Sequence, residues 1–255
     1  MDAESPWTDD ACMESALLVG IVFLAAGLVK GVSGMGLPTL SMALLGLFMP
    51  PAIAATLMVL PSLATNVAQC LGPHALALAQ RLWPMWLGLV AGTIFSPLQG
   101  LAGSGEGARI LLGAVLVVYG LWGLMKPALP DLRGRVISAG SIAGALSGLL
   151  AASTGVFVMP LVPYLQTLRL EKDEMIQALG LTFMIATLSL AIRIGHTGIA
   201  TNSIDIADLA IAIATAFAGL FLGAALRARM QPAVFQRALY TVFVMLGLAM
   251  LIRAL

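Results

Sequence analysis

Long runs of hydrophobic residues, separated by short polar connections, dominate this chain from residue 15 onwards. The runs cover residues 15–33, 36–49, 51–72, 82–102 and 108–125 in the first half and 136–152, 155–168, 174–195, 206–226 and 235–254 in the second. An apolar run of about 20 residues is long enough to cross a bilayer as one helix. The pattern therefore predicts an all-α polytopic membrane protein with about 8–10 transmembrane helices.

The second run of each half is too short to cross a bilayer. A helix over 36–49 or 155–168 would cover about 21 Å of a hydrocarbon core that is about 30 Å thick. Each run follows a cluster of small residues, GLVKGVSGMG at 27–36 and GALSGLLAASTG at 144–155. A helix that stops inside a membrane frees backbone N–H and C=O groups, which only protein or a wet cavity can satisfy. The first two segments of each half are therefore predicted to form a broken or re-entrant hairpin.

Weak similarities between the two halves indicate an internal duplication. The matches, which occur in the same order, are Gly31 with Gly148, Gly36 with Gly155, and the Ala64-Thr65 pair with Ala186-Thr187. Between the halves, KPALPDLRGR at 126–135 combines two prolines with four charges, which a spanning helix does not tolerate. The predicted organisation is an acidic tail (1–14), a first repeat (15–125), a linker (126–135) and a second repeat (136–255).

The distribution of basic residues predicts the topology, because short cytoplasmic loops carry the excess of Lys and Arg. If all ten segments alternate sides, ten of the 13 basic residues lie on one face, and only Arg109, Arg193 and Arg253 lie on the other. If each second segment instead returned to its starting side, the division would be seven to six. The first arrangement is favoured. Since five is odd, the halves are inverted relative to each other, the linker is cytoplasmic, and the tail and both termini are extracytoplasmic.

Composition excludes several classes of function. The chain is 60% hydrophobic and 10% charged, with a net charge of +1, so it lacks the clustered basic residues that nucleic-acid binding needs. No HExxH or GxSxG motif is present, and we predict neither an enzyme, a metal site nor a cofactor. All 12 Asp and Glu residues lie in the tail, in connections or at segment ends, which argues against a carboxylate relay in the membrane.

The two small-residue clusters also resemble a known family. GLVKGVSGMG, followed by an apolar run and PPAIAATL, and GALSGLLAASTGVFVMPLV resemble the two signature regions of the TauE/SafE family, also called the TSUP permeases. The resemblance covers nearly the whole chain. It departs from the usual pattern at Ser41, where the family has a proline, and at AASTG, where glycines are commoner. The resemblance implies a permease or exporter for sulfite, sulfoacetate or related sulfonates in the bacterial inner membrane.

A small anion needs its charge met inside the membrane, and helix N-termini offer free N–H groups for this. We expect such ends near Gly36 and Gly155, with glycine allowing close backbone approach. The remaining candidates in the two clusters are Ser33, Gly34, Ser153 and Thr154. The alternative is that these small residues only allow close helix packing.

Three further candidates each leave two interpretations open. Lys30 is a buried partner of the anion if the hairpin tip lies deep in the membrane, or an ordinary cytoplasmic charge if the first segment crosses fully. Asn66 and Gln69 share a helical face with Ser62 and Thr65, and this stripe either lines a polar cavity or joins helices. Arg193 either binds the anion or extends to the lipid headgroups.

The sequence therefore predicts an alternating-access permease for small organosulfur anions, with the two halves rocking about the breaks. An anion channel built on the same helix ends is the alternative. The predicted partners are the anion and the lipid bilayer. The GxxxG pairs Gly88/Gly92 and Gly219/Gly223 predict helix packing and leave a homodimer possible.

Overall fold

A computed structural model of the chain describes residues 9–98, 101, 106–196, 205–227, 229 and 232–254. The ten α-helices in these residues are α1 (Asp9–Ser33), α2 (Leu37–Phe48), α3 (Pro51–Cys70), α4 (Ala75–Ile94), α5 (Glu106–Met125), α6 (Val136–Thr154), α7 (Leu161–Thr167), α8 (Lys172–His196), α9 (Ile206–Arg227) and α10 (Pro232–Arg253). A single 3₁₀ turn, Arg133–Arg135, precedes α6. These described residues contain no β-strand.

Seven of these helices are long and apolar enough to cross a membrane, which makes the chain a multi-pass membrane protein. They are α1, α3, α5, α6, α8, α9 and α10. The other described helices are α4 and the short α2 and α7. The all-helical class is confirmed. Residues 1–8 of the predicted acidic tail lie outside the described residues, and α1 begins within that tail at Asp9.

Both predicted interruptions are present, but the second differs from the prediction. The first separates α1 from α2 by three residues. After α6, the prediction that a helix begins near Gly155 is wrong, because Val156–Val158 are not helical and α7 begins only at Leu161. The reason lies in Pro160, since a proline disfavours helical backbone in the residue before it. The second interruption is therefore longer and α7 has only seven residues.

The fourth helix also begins earlier than its hydropathy predicted. The prediction placed an apolar run at 82–102, whereas α4 begins at Ala75 and ends at Ile94. Its first turns carry Leu78 and Leu82, which are four residues apart and buried on one face. A helix can therefore start in a stretch that also contains Gln80 and Arg81, because one side of it is covered by protein. Residues 99, 100 and 102 of the predicted run lie outside the described part of the chain.

Two pairs of parallel helices are in backbone contact through glycines. In the α1/α9 pair, a methyl group at Gly27 would lie 2.2 Å from the carbonyl oxygen of Ala216, and one at Gly219 would lie 2.2 Å from that of Leu24. Gly31 and Gly223 make further contacts of this kind in the α1/α9 pair. The α4/α6 pair repeats the arrangement through Gly88, Gly92, Gly144 and Gly148. Only a residue without a side chain permits this approach. The GxxxG glycines are thus used inside the chain.

The centre of the molecule is formed by α3 and α8, which run antiparallel. Gly180 of α8 packs on Gln69, and one turn further along the same end of the contact Gly72, just after α3, lies beside Gln177. Around this centre, α5 packs on α10, α4 on α8, and α3 on α9. The breaks after α1 and α6 are buried by these helices, because the residues around them are almost entirely enclosed.

Replacement of a contact glycine tests this packing. We expect Gly219→Ala to lower the free energy of unfolding by about 1–3 kcal/mol, because its methyl group would overlap the backbone of α1. Gly20→Ala, also in the α1/α9 interface, meets its neighbours no closer than 3.4 Å and should be neutral or stabilising by up to about 1 kcal/mol. Thermal unfolding in detergent measures both. Equal midpoints for Gly219→Ala and wild type would contradict the described contact.

Candidate functional site

Residues within the break between α1 and α2 satisfy some of the backbone groups that the break exposes. Gly34 and Gly36 have φ angles of +81° and +106°, which glycine adopts at low cost. The hydroxyl of Ser33 donates to the carbonyl of Val29 at 2.8 Å and accepts the N–H of Met35 at 3.3 Å. Ser33, which the sequence offered as an anion donor, is therefore occupied by backbone groups that the break exposes.

The break after α6 uses the same device. Gly155 has a φ angle of +70°. The preceding Thr154 donates its hydroxyl to the carbonyl of Leu150 at 2.8 Å and accepts the N–H of Val156 at 3.2 Å. Ser33 and Thr154 thus occupy equivalent positions, each directly before a glycine with positive φ. The neighbouring Ser153 is buried, and its hydroxyl has no hydrogen-bond partner among the described residues.

Lys30, in the last turn of α1, is buried although α1 is of full spanning length. Its side chain is only 1% exposed. The ammonium donates to Thr65 Oγ1 at 3.0 Å and to Asn66 Oδ1. No carboxylate of the described residues forms an ion pair with it. An ammonium with only neutral partners in a low-dielectric site leaves its charge uncompensated, which is costly unless an anion joins it.

The polar stripe of α3 faces the first break. Ser62, Thr65 and Asn66 are buried, and Gln69 Nε2 donates to the carbonyl of Gly34 at 3.0 Å. The stripe therefore joins α3 to the break, as one of its two interpretations required. It also retains free groups, because Ser62 Oγ, Asn66 Nδ2 and Gln69 Oε1 have no partner among the described residues. Two of these, the hydroxyl of Ser62 and the amide of Asn66, can still donate to a ligand.

The second half presents hydroxyls where the first half presents a charge. Under the predicted duplication, Ser147 is the counterpart of Lys30 and Thr187 is the counterpart of Thr65. Both are completely buried, and neither side-chain oxygen has a hydrogen-bond partner in the described part of the chain. Positive charge is therefore concentrated at one break.

A cavity of about 340 Å³ at the end of α3 reaches the last residue of the stripe, Gln69. It is bounded by α3, the following turn and the start of α8, and Gln69 forms part of its wall. Ile176, also in this wall, lies beside Gly34. The cavity therefore ends next to the first break. The other lining residues are Ala68, Leu71, Gly72, Pro73, His74, Asp173 and Gln177.

Arg193 binds a different part of the molecule from the other candidates. Its guanidinium donates to four carbonyl oxygens at the end of α4, at distances from 2.9 to 3.1 Å, in residues Thr93, Ile94, Ser96 and Leu98. These carbonyls lack partners within their own helix, and a cation at a helix C-terminus is also favoured by the helix dipole. The structure thus places Arg193 as a cap on α4 and not beside Lys30.

Sequence reasoning missed Arg227, which caps the C-terminal end of α1 as Arg193 caps that of α4. Its Nε donates to the carbonyl of Gly31 at 3.0 Å, and a second donor of the same guanidinium reaches this oxygen. By its position in the sequence, Arg227 is one of the ten basic residues predicted on the cytoplasmic face. The available signal was its position in the last turn of a helix. That signal could not identify the acceptor, because the α1/α9 pairing joins segments that are far apart in the sequence.

The matched residues decide the family. The model of the sulfite exporter TauE/SafE family matches residues 19–250, which is nearly the whole chain. The chain belongs to the TauE/SafE family. Searches of curated proteins and of solved structures found no significant match. The TauE/SafE match includes both breaks, Lys30, the α3 stripe and the glycines that hold α1 on α9 and α4 on α6.

Arg193 offers a test of the capping geometry in this TauE/SafE protein. We expect Arg193→Gln to lower the free energy of unfolding by about 2 kcal/mol, because up to four carbonyls, three of them in part-buried contacts, lose their donor. Arg237→Gln is the matched control, since Arg237 is exposed at the start of α10. Chemical denaturation in detergent compares the two. A substrate-binding role for Arg193 would instead appear as weakened anion binding with unchanged stability.

Proposed function

We propose that this protein is a secondary transporter that moves small organosulfur anions, such as sulfite, sulfoacetate or other sulfonates, across the bacterial inner membrane by alternating access. The family supports a sulfite or sulfonate exporter in general terms. The observation that carries the proposal is Lys30, a buried ammonium beside a helix break with neutral partners only. A buried cation of this kind is stabilised by the charge of an anionic substrate.

The groups around Lys30 suit a sulfonate or sulfite. The ammonium supplies the charge, while Ser62 Oγ and Asn66 Nδ2 supply donors that are not yet used. The start of α2 adds free N–H groups at the positive end of a helix dipole. Pro38 in its first turn lacks an N–H, so this end contributes fewer donors than an ordinary helix start.

Packing between helices supports an inverted repeat. Exchanging α1–α5 with α6–α10 converts the α1/α9 contact into the α6/α4 contact and the α3/α9 contact into the α8/α4 contact. The α3/α8 and α5/α10 contacts convert into themselves. A two-fold relation between the halves, with both termini on the extracytoplasmic side, accounts for these matched contacts and for the asymmetry of basic residues.

The same packing changes which parts are expected to move. Because α1 pairs with α9 and α4 pairs with α6, each tight pair takes one helix from each half. In the proposed cycle these pairs therefore move as units, and the halves do not separate from each other. The breaks next to α1 and α6 supply the flexible backbone between such units.

Replacement of Lys30 tests the proposed function. Lys30→Met should weaken sulfite binding by about 10- to 150-fold, because a charge-assisted hydrogen bond contributes about 1.5–3 kcal/mol. Lys126→Met is the matched control, since Lys126 is exposed at the linker. Sulfite binding is measured by thermal stabilisation of the purified protein, and flux by sulfite uptake into proteoliposomes.

These measurements test the site at Lys30 and distinguish a transporter from an anion channel. Unchanged binding and flux in the Lys30→Met protein would overturn the proposed site. Flux that fails to saturate with sulfite concentration, together with single-channel currents, would identify an anion channel in place of a transporter.

A further inference from the structure

We propose a second anion-binding site, for a small oxyanion such as a sulfonate, sulfite or sulfate, at the opposite end of α2 from Lys30. A cavity of about 300 Å³ lies where α2 ends, α5 begins and α10 ends. Arg109 and Arg253 contribute two guanidinium groups to its wall, and Glu106 contributes one carboxylate. Leu47 and Met250 are among the apolar residues of the lining.

The two guanidinium groups retain most of their donors. Arg253 donates to the carbonyl of Leu47 at 3.3 Å, and Arg109 donates to that of Met49 at 3.5 Å. Both distances are long for such bonds, and each guanidinium carries five N–H donors. Arg109 Nε is buried and has no partner among the described residues. Anchoring the end of α2 therefore uses only a small part of this donor set.

The described residues of the cavity also carry an excess of positive charge. Within the described residues, neither arginine forms an ion pair with Glu106 or with any other carboxylate. Among the described lining residues two cations face one carboxylate, and α5 directs the positive end of its dipole towards the same space because it begins at Glu106. Planar guanidinium groups are well suited to bind the oxygen atoms of a sulfonate or sulfate in pairs.

The position of the cavity distinguishes it from the site at Lys30. Only three basic residues are predicted on the extracytoplasmic face, and Arg193 among them caps α4. The other two, Arg109 and Arg253, both line this cavity. The 12 residues of α2 separate it from the first break by about 18 Å. The proposal that an anion binds here is argued from the cavity alone. The further proposal that this site is an extracytoplasmic binding site on the transport path rests on the proposed function.

Charge variants in a Lys30→Met background test the second site. Sulfate is the probe, and its binding is followed by calorimetry of the purified full-length protein in chloride-free buffer. Arg253→Gln should weaken the residual sulfate binding, and Glu106→Gln should strengthen it, each by about two- to fivefold, as expected for partly exposed charges. Arg237→Gln, at the other end of the same helix, should leave it unchanged. A purely structural role for Arg253 does not predict a gain of binding on removal of Glu106.

The wild-type protein provides a measurement that does not depend on folding of variants. Sulfate should protect Arg109 and Arg253, but not Arg237, from modification by phenylglyoxal, with the modified residues identified by mass spectrometry. Loss of all sulfate binding in the Lys30→Met protein, or equal protection of the three arginines, overturns the second site. Absence of sulfite flux with retained protection would refute the transporter and leave this site standing.

Discussion

Backbone groups freed at two buried helix breaks are the constraint on which the structure depends. A helix that stops inside hydrocarbon must find partners for its free N–H and C=O groups. Here Ser33 and Thr154 satisfy part of this need locally, Gln69 binds the carbonyl of Gly34, and Arg227 binds that of Gly31. At the second interruption no arginine of the described residues does this, and the hydroxyl of Ser96 donates to the carbonyl of Leu149 at 3.5 Å instead. The asymmetry of charge between the halves thus extends to the groups that support the breaks.

Arginine has one recurring role in this protein, the satisfaction of helix C-termini. Arg193 caps α4, Arg227 caps α1, and Arg109 and Arg253 reach the end of α2. Lys30 differs from all four, because its partners are side chains of α3 and not backbone carbonyls. A compact ammonium can be shared between protein and a ligand, whereas a guanidinium bound to several carbonyls has few donors to spare. This difference supports Lys30 as the charge that meets the substrate. Among the four arginines, Arg109 and Arg253 make one long contact each.

The sequence predicted that both breaks exist and placed the first accurately, but it predicted the contacts around them poorly. Glycine and hydroxyl residues between apolar runs are a local signal, so the end of α1 and the start of α2 were placed within one residue. The start of α7 was misplaced because the apolar composition of Val156–Val158 fits helix and extended chain equally, and Pro160 decided between them. The burial of Lys30 depends on Thr65 and Asn66, which fold against it from another helix. The acceptors of Arg193 and Arg227 likewise belong to distant segments, so no local pattern revealed them.

The pairing of α1 with α9 has a consequence for biogenesis. During synthesis α1 enters the membrane long before α9 has left the ribosome, so Gly27 and Gly31 must first face lipid or another helix. The α4/α6 pair, whose members are separated by one helix, can dock much earlier. We therefore infer that the two glycine contacts form at different times, and that Lys30 remains without its final enclosure until the closing segments of the chain are inserted.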